Sequence, residues 1–128
     1  MPLRALNILL VEKSPGEALL PFEHLLASGH SVVVAPTLCE ARIACAQSMF
    51  DLLLCHLPLP NSNGLELLER ARLLRPGAEG IVISDFGDWY RREAARRAGF
   101  MAYLMDPLHL ELLDRLIWHL RLFSAPQV

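Results

Sequence analysis

The sequence predicts a three-layer α/β domain, an open parallel sheet with helices on both faces, and three observations carry that prediction. Short runs, most of them apolar on both faces, recur along the chain. Helix-period segments separate them, and capping residues mark several of the boundaries. Five such βα units fill the 128 residues with no internal repeat, low-complexity tract or linker.

The strands are predicted at Asn7 to Val11 (NILLV), Ser31 to Ala35 (SVVVA), Asp51 to Cys55 (DLLLC), Gly80 to Ser84 (GIVIS) and Phe100 to Leu104 (FMAYL). The intervening helices are predicted at Gly16 to Ala27, Leu38 to Met49, Leu65 to Leu74, Trp89 to Ala98 and Leu108 to Leu122. Thr37 suits the N-cap of the second helix and Asp88 that of the fourth, because a short polar side chain can accept from an unpaired first-turn N–H. Pro107 suits the first turn of the fifth, where a missing N–H costs nothing. Gly29 and Gly99 follow the first and fourth helices, where a left-handed residue ends the helix.

Composition bounds the function classes. With 53% hydrophobic and 20% charged residues the chain is globular, long enough for one core over residues 1–123, with a loose tail over 124–128. A net charge of −2 gives no overall nucleic-acid footprint, and no apolar run reaches the length of a membrane span. The amino terminus lacks a signal-peptide cleavage pattern, so a soluble cytoplasmic protein is expected. Cys39, Cys45 and Cys55 are odd in number and lie in apolar segments, which suits buried reduced thiols rather than a disulfide or zinc site.

In open parallel sheets ligands bind beyond the carboxyl ends of the strands. That edge holds Glu12, Lys13 and Ser14 after the first strand, and His56 with LPLPNSNG after the third. It also holds Ser84 and Asp85 after the fourth, and Met105 and Asp106 after the fifth. Asp51 begins its strand at the opposite edge and is expected to be a solvated turn or cap residue. His56 has three readings: a phosphohistidine, a metal ligand with Glu12 and Asp106, or a hydrogen-bonded structural residue, and the last is expected because one His beside two carboxylates lacks the spacing of a metal motif. Cys55 points to the opposite face of its strand from His56, GxSxG is absent, and no glycine-rich phosphate loop occurs.

Over nearly its whole length, from ILLVEKSP through DLLLCHLPLPNSNGLELL and IVISD to AGFMAYLMDPLHLELLDRL, the chain resembles the receiver domain of two-component response regulators. The resemblance implies a flavodoxin-like, doubly wound (βα)5 fold with strand order 2-1-3-4-5. It matches at Pro60, Asn63 and Gly64 of the loop, at Ser84 in the hydroxyl position, at Tyr103 in the aromatic switch position, and at Pro107, whose bond to Asp106 is then expected to be cis. It departs at the chemical positions. His56 stands where the family has its phosphoacceptor Asp, Asp106 where it has Lys, and Glu12 with Lys13 where it has two acids.

Those departures remove the family reaction on paper. Aspartyl phosphorylation needs a carboxylate nucleophile and a Mg²⁺ ion held by hard oxygen ligands. Of the three family carboxylates only Glu12 remains, Lys13 adds positive charge, and Asp106 repels a phosphoryl group where Lys would bind it. Glu12, Lys13, His56, Ser84 and Asp106 are therefore expected to form a degenerate phosphorylation pocket without Mg²⁺, other cofactor or catalytic residue. Lys13 and Asp106 reverse the family's charges and are expected to pair directly or through His56, since unpaired polar groups at that depth are costly. Ser84 and Tyr103 are expected to rest in one arrangement.

The surface carries what remains. On the fourth helix Tyr90, Ala94, Ala95 and Ala98 are predicted to face the sheet, leaving Trp89, Arg92, Glu93, Arg96 and Arg97 outside. On the fifth, Leu110, Leu113, Leu116, Ile117 and Leu120 form a core stripe, and Leu112, Trp118 and Leu122 are surplus apolar residues. Trp89, Arg92, Arg96, Leu112 and Trp118 then mark a partner surface of the kind the family builds from helix 4, strand 5 and helix 5. The expected partner is a histidine kinase or an output protein, or a second copy of the chain. Direct nucleic-acid binding and enzyme activity are not expected. The alternatives are a receiver still phosphorylated by an altered route through His56, and a small metal-binding protein on the same fold.

Overall fold

A computed structural model describes residues 4–57 and 64–123. The loop positions Pro60 and Asn63, the Leu122 side chain and the tail over 124–128 lie outside the described residues. The element order is β1 Asn7–Val11, α1 Pro15–Ala27, β2 Ser31–Ala35, α2 Leu38–Gln47, β3 Leu52–Leu57, α3 Leu67–Leu74, β4 Glu79–Ser84, α4 Trp89–Arg97, β5 Ala102–Met105 and α5 Leu110–Phe123. The strands form one parallel sheet in the order β2-β1-β3-β4-β5, as predicted.

The period-2 alternation of the strands divides the core into two layers. Leu9, Val11, Leu53, Cys55, Leu57 and Val82 pack against Ala41 and Cys45 of α2, Leu67, Leu68 and Ala71 of α3, and Ala95 of α4. Ile8, Leu10, Leu52, Leu54, Ile81 and Ile83 pack against Ala18 and Leu25 of α1 and Leu113, Ile117 and Leu120 of α5. The stripe predicted on the fifth helix is therefore its core face.

Several local features match the sequence in detail. Thr37 Oγ1 accepts from Glu40 N–H at 3.1 Å, and Asp88 Oδ1 accepts from Arg91 N–H at 2.7 Å. Gly29 and Gly99 take φ of +92° and +94°, where a side chain would be strained. The Asp106–Pro107 peptide bond is cis. Gly80 has a packing reason of its own: a Cβ there would lie 2.6 Å from the Phe100 ring.

Other expectations need correction. β3 continues through His56 to Leu57, so His56 belongs to the strand. α5 starts at Leu110 rather than Leu108, and Pro107 precedes the helix instead of opening it. β2 is not apolar-covered: as an edge strand it leaves Val33 and Val34 exposed. Cys45 and Cys55 are buried free thiols, but Cys39, in the first turn of α2, is exposed. Tyr90 is not buried against the sheet: it borders an open cleft with Leu57, Val82 and Tyr103 and is 77% exposed, and only Ala95 of that helix is buried.

Asp51 is not a solvated turn residue. Its Oδ2 accepts from Asn7 N–H at 2.7 Å, and its Oδ1 lies 2.5 Å from Nε of the buried Arg75 and 3.5 Å from Arg4. It ties the amino-terminal edge of β1 and β3 to the end of α3. Strand position alone identifies the edge but not the buried cation waiting there.

Candidate functional site

The carboxyl edge of the sheet inherits the parity of the strands below it. His56 follows Leu52 and Leu54 on the α1/α5 face, and Glu12, Asp85 and Asp106 stand two residues beyond Leu10, Ile83 and Leu104, which pack on that side. These four line one pocket of about 510 Å³ with Glu17, Gly16, Leu20 and Pro21 of α1 and with Pro107 and Leu108. The opposite parity carries Leu57, Ser84, Tyr103 and Met105 toward α4.

That division separates residues expected in one pocket. Lys13 is exposed and does not line it, and no ion pair joins it to Asp106. In extended backbone one residue beyond Glu12 points the other way. Ser84 is also absent from the lining; it is 1% exposed, and its Oγ accepts from Phe86 N–H at 3.0 Å. The charge reversal is real in the sequence, but the cation that meets Asp106 is His56.

His56 is held from both sides. Its Nδ1 hydrogen bonds to Glu12 Oε2, and Glu17 Oε2 lies 3.5 Å from the same nitrogen. Its Nε2 is 2.7 Å from Asp106 Oδ2. Glu12, itself 4% exposed, is fixed further by Ser14 N–H, which donates to Oε1 at 3.0 Å. The hydrogen bond to Glu12 raises the His56 pKa to about 9 against the opposing effect of burial, with Glu12, Asp106 and Glu17 adding attraction. An imidazolium at neutral pH results. Asp106 is raised in turn by burial and by the neighbouring Asp85 carboxyl, which together outweigh the attraction of His56.

Sequence reasoning named Asp85 only as a strand-end residue and missed Glu17. The available signal was positional: Glu17 sits in the first turn of α1, which leaves β1 at the same carboxyl edge, and Ser14 caps that turn. His56, Glu12 and Glu17 bring ligand atoms within 4.8 Å of one another, as do His56, Asp85 and Asp106. The family's Mg²⁺ requires hard oxygen donors in near-octahedral geometry. The donor set here does not match that requirement, because an imidazole nitrogen stands between the two most buried carboxylates and engages both.

On the α4 side, the Tyr103 hydroxyl donates to Phe86 O, and the Arg92 guanidinium lies 5.0 Å over the Tyr103 ring. Trp89 is 74% exposed, Trp118 53% and Leu112 43%. The arginines of α4 are largely occupied: Arg91 pairs with Asp88, and Arg96 and Arg97 pair with Glu93.

The comparisons with known proteins agree with this architecture. No family model matches the chain. A protein of Anaeromyxobacter sp. described as a response regulator receiver protein is 35% identical over 86 residues, covering 67% of this chain and 36% of that protein. An uncharacterized 14.6 kDa protein of Leptolyngbya boryana is 33% identical over 113 residues, covering 84% of this chain and 86% of that one. The chain thus spans about a third of the length of the first relative. Among solved structures, a CheY-like response regulator receiver domain from Methanospirillum hungatei superposes with a TM-score of 0.81 at 29% identity, covering 91% of this chain and 94% of that one. The receiver domain of a Pseudomonas aeruginosa sensor histidine kinase, with a magnesium ion coordinated in its active-site cleft, gives 0.76 at 23% identity, covering 91% and 97%. No helix among the described residues is long and apolar enough to cross a membrane. From its sequence likeness and its five-stranded parallel sheet in the order 2-1-3-4-5, the chain belongs to the CheY-like receiver domains of two-component response regulators.

Proposed function

We propose that this receiver domain signals without phosphoryl transfer, as a protein-interaction module whose phosphorylation-pocket carboxylates are engaged by an internal cation, His56. The observation that carries the reading is His56, at the phosphoacceptor position, clamped between Glu12 and Asp106. Attack on phosphorus needs a free lone pair, and an imidazolium has none. The Pseudomonas relative holds Mg²⁺ in its cleft; here a fixed cation neutralises the carboxylates instead, and Mg²⁺ binding is lost. Asp106, in the place of the family Lys, adds repulsion against an incoming phosphoryl group.

The interaction surface in this reading comprises α4, β5 and α5, with Trp89, Trp118 and Leu112 as apolar anchors and Arg92 and Arg96 as polar neighbours. Its partner is a histidine kinase or an output protein of a two-component pathway in the cytoplasm, with a homodimer as the second candidate. Self-pairing of the α4 arginines supports a protein partner over a nucleic acid, since phosphates would compete with carboxylates already in place. With no phosphoryl charge to bias two states, Tyr103 keeps its bond to Phe86 O.

A ¹H,¹⁵N NMR titration with Mg²⁺ and then beryllofluoride tests the reading. The expected result is no shift at Glu12, His56 and Ser84. Saturable shifts there that spread to Tyr103 and α4 overturn it.

A further inference from the structure

The His56 ring divides its two nitrogens between different tasks. Nε2 meets the Asp106 carboxylate at 2.7 Å, the contact by which an outer carboxylate fixes an imidazole's tautomer and ring plane. Nδ1 faces two further carboxylates, Glu12 and Glu17, and the three ligand atoms lie within 4.8 Å of one another. One nitrogen and two oxygens, with open pocket beyond them, match the three protein ligands and free fourth position of an accessible zinc site. They do not match Mg²⁺, which takes oxygens.

Charge favours the same ion. Among the described residues four carboxylates, Glu12, Glu17, Asp85 and Asp106, line the pocket, and His56 is the one basic residue in its lining. Lys13 is exposed outside it. A divalent cation on Nδ1 in place of a proton neutralises more of that excess, and the displaced proton leaves to solvent. The grouping on the other side of the ring, through Nε2 with Asp85 and Asp106, is less preorganised. Each grouping has one exposed carboxylate, Glu17 or Asp85; the difference lies in Glu12, which is buried and held by Ser14 N–H, whereas Asp106 is only partly buried.

We propose that Glu12, Glu17 and Nδ1 of His56 form a binding site for one borderline divalent transition cation of the zinc class, with Asp106 as the positioning residue for the imidazole. The proposal deepens the reading above by naming what the pocket accepts in place of Mg²⁺ and phosphate, and it shares with that reading only the rejection of Mg²⁺.

The test is calorimetry of the full chain with ZnCl₂ and, separately, MgCl₂, alongside long-range ¹H,¹⁵N spectra of the His rings. One Zn²⁺ per chain is expected, with a large shift of the His56 Nδ1 resonance and little change at His109 and His119. Asp106→Asn should weaken Zn²⁺ by about 10- to 100-fold, the usual effect of losing an outer-shell partner. His56→Gln should abolish binding, and the ring spectra of the unaltered protein give the same answer if that variant fails to fold. No Zn²⁺ binding, or Zn²⁺ binding with unshifted His56 nitrogens, overturns the proposal. If neither metal binds, this proposal fails and the phosphorylation-independent reading stands. If Mg²⁺ binds and Zn²⁺ does not, both fail; if both bind, with Zn²⁺ on His56, only the claim of Mg²⁺ loss falls.

Discussion

His56 and Asp106 meet at 2.7 Å across the carboxyl edge of β3 and β5, so in the reading proposed above the residue at the phosphoacceptor position is bonded to the residue at the lysine position. In a working receiver one of these would be anionic and the other cationic. Here the signs are exchanged and the attraction is kept. Removing either partner alone should be costly, because an isolated charge left at that depth costs several kcal/mol.

His56→Ala should therefore destabilise the protein by about 3 to 5 kcal/mol, the range for breaking a buried pair, because Glu12 is left as an uncompensated buried carboxylate. Urea unfolding at neutral pH measures it. A loss below about 1 kcal/mol, the value of exposed pairs, would show that solvent already screens the site.

His56→Asp should not restore signalling chemistry. It adds a carboxylate to Glu12, Glu17, Asp85 and Asp106 and leaves no basic residue among the described residues of the pocket lining. The variant is expected to lose stability at neutral pH and to take no label from acetyl phosphate. Incorporation of label would show that the aspartate was the sole missing part.

Stability should peak near pH 6.5, from two histidines with opposite shifts. The His56 pKa is raised to about 9 by Glu12, so its contribution is complete below its unfolded value of about 6.5 and disappears as pH climbs through 9. The His30 pKa is lowered, chiefly by burial, then by Arg121 and His24 against the pull of Asp114. Its Nδ1 accepts from Leu6 N–H at 3.0 Å, which requires the neutral ring. Its contribution is complete above about 6.5 and falls as pH drops below that value, where the unfolded chain takes the proton. Denaturant midpoints from pH 5 to pH 10 should trace both limbs, with His30→Gln flattening the acid limb and Asp106→Asn weakening the alkaline one.

Gly80→Ala should cost about 1 to 3 kcal/mol, as overpacking does, since its Cβ meets the Phe100 ring at 2.6 Å between β4 and the start of β5. Thermal unfolding checks this. Phe100→Leu in the same background should recover part of the loss, because the ring is the obstacle.

Glu12 and His56 were legible as candidates for one pocket because strand-end position in a parallel sheet is a sequence property, read from where an apolar run stops. Ser84 was placed with them by the same rule and lies apart, because the rule fixes the edge and not the face. Glu17 went unnoticed since nothing local in PGEALL distinguishes a pocket carboxylate from a solvated first-turn acid. Tyr90 failed for a related reason: helical spacing identifies a stripe, but how far α4 overlaps the sheet decides which end of the stripe is covered.

By itself the sequence determined the βα alternation, the capping residues of α2 and α4 and the core stripe of α5. These depend on periodicity and residue type, which are local. Only the tertiary structure decided that His56 rather than Lys13 meets Asp106, that Glu17 joins the site, and that Asp51 anchors Arg75. Those pairings join residues 24 to 50 positions apart or depend on side-chain direction at the sheet's edge. There the pleat and the packing of α1 and α5, rather than any local preference, choose which charges share a pocket.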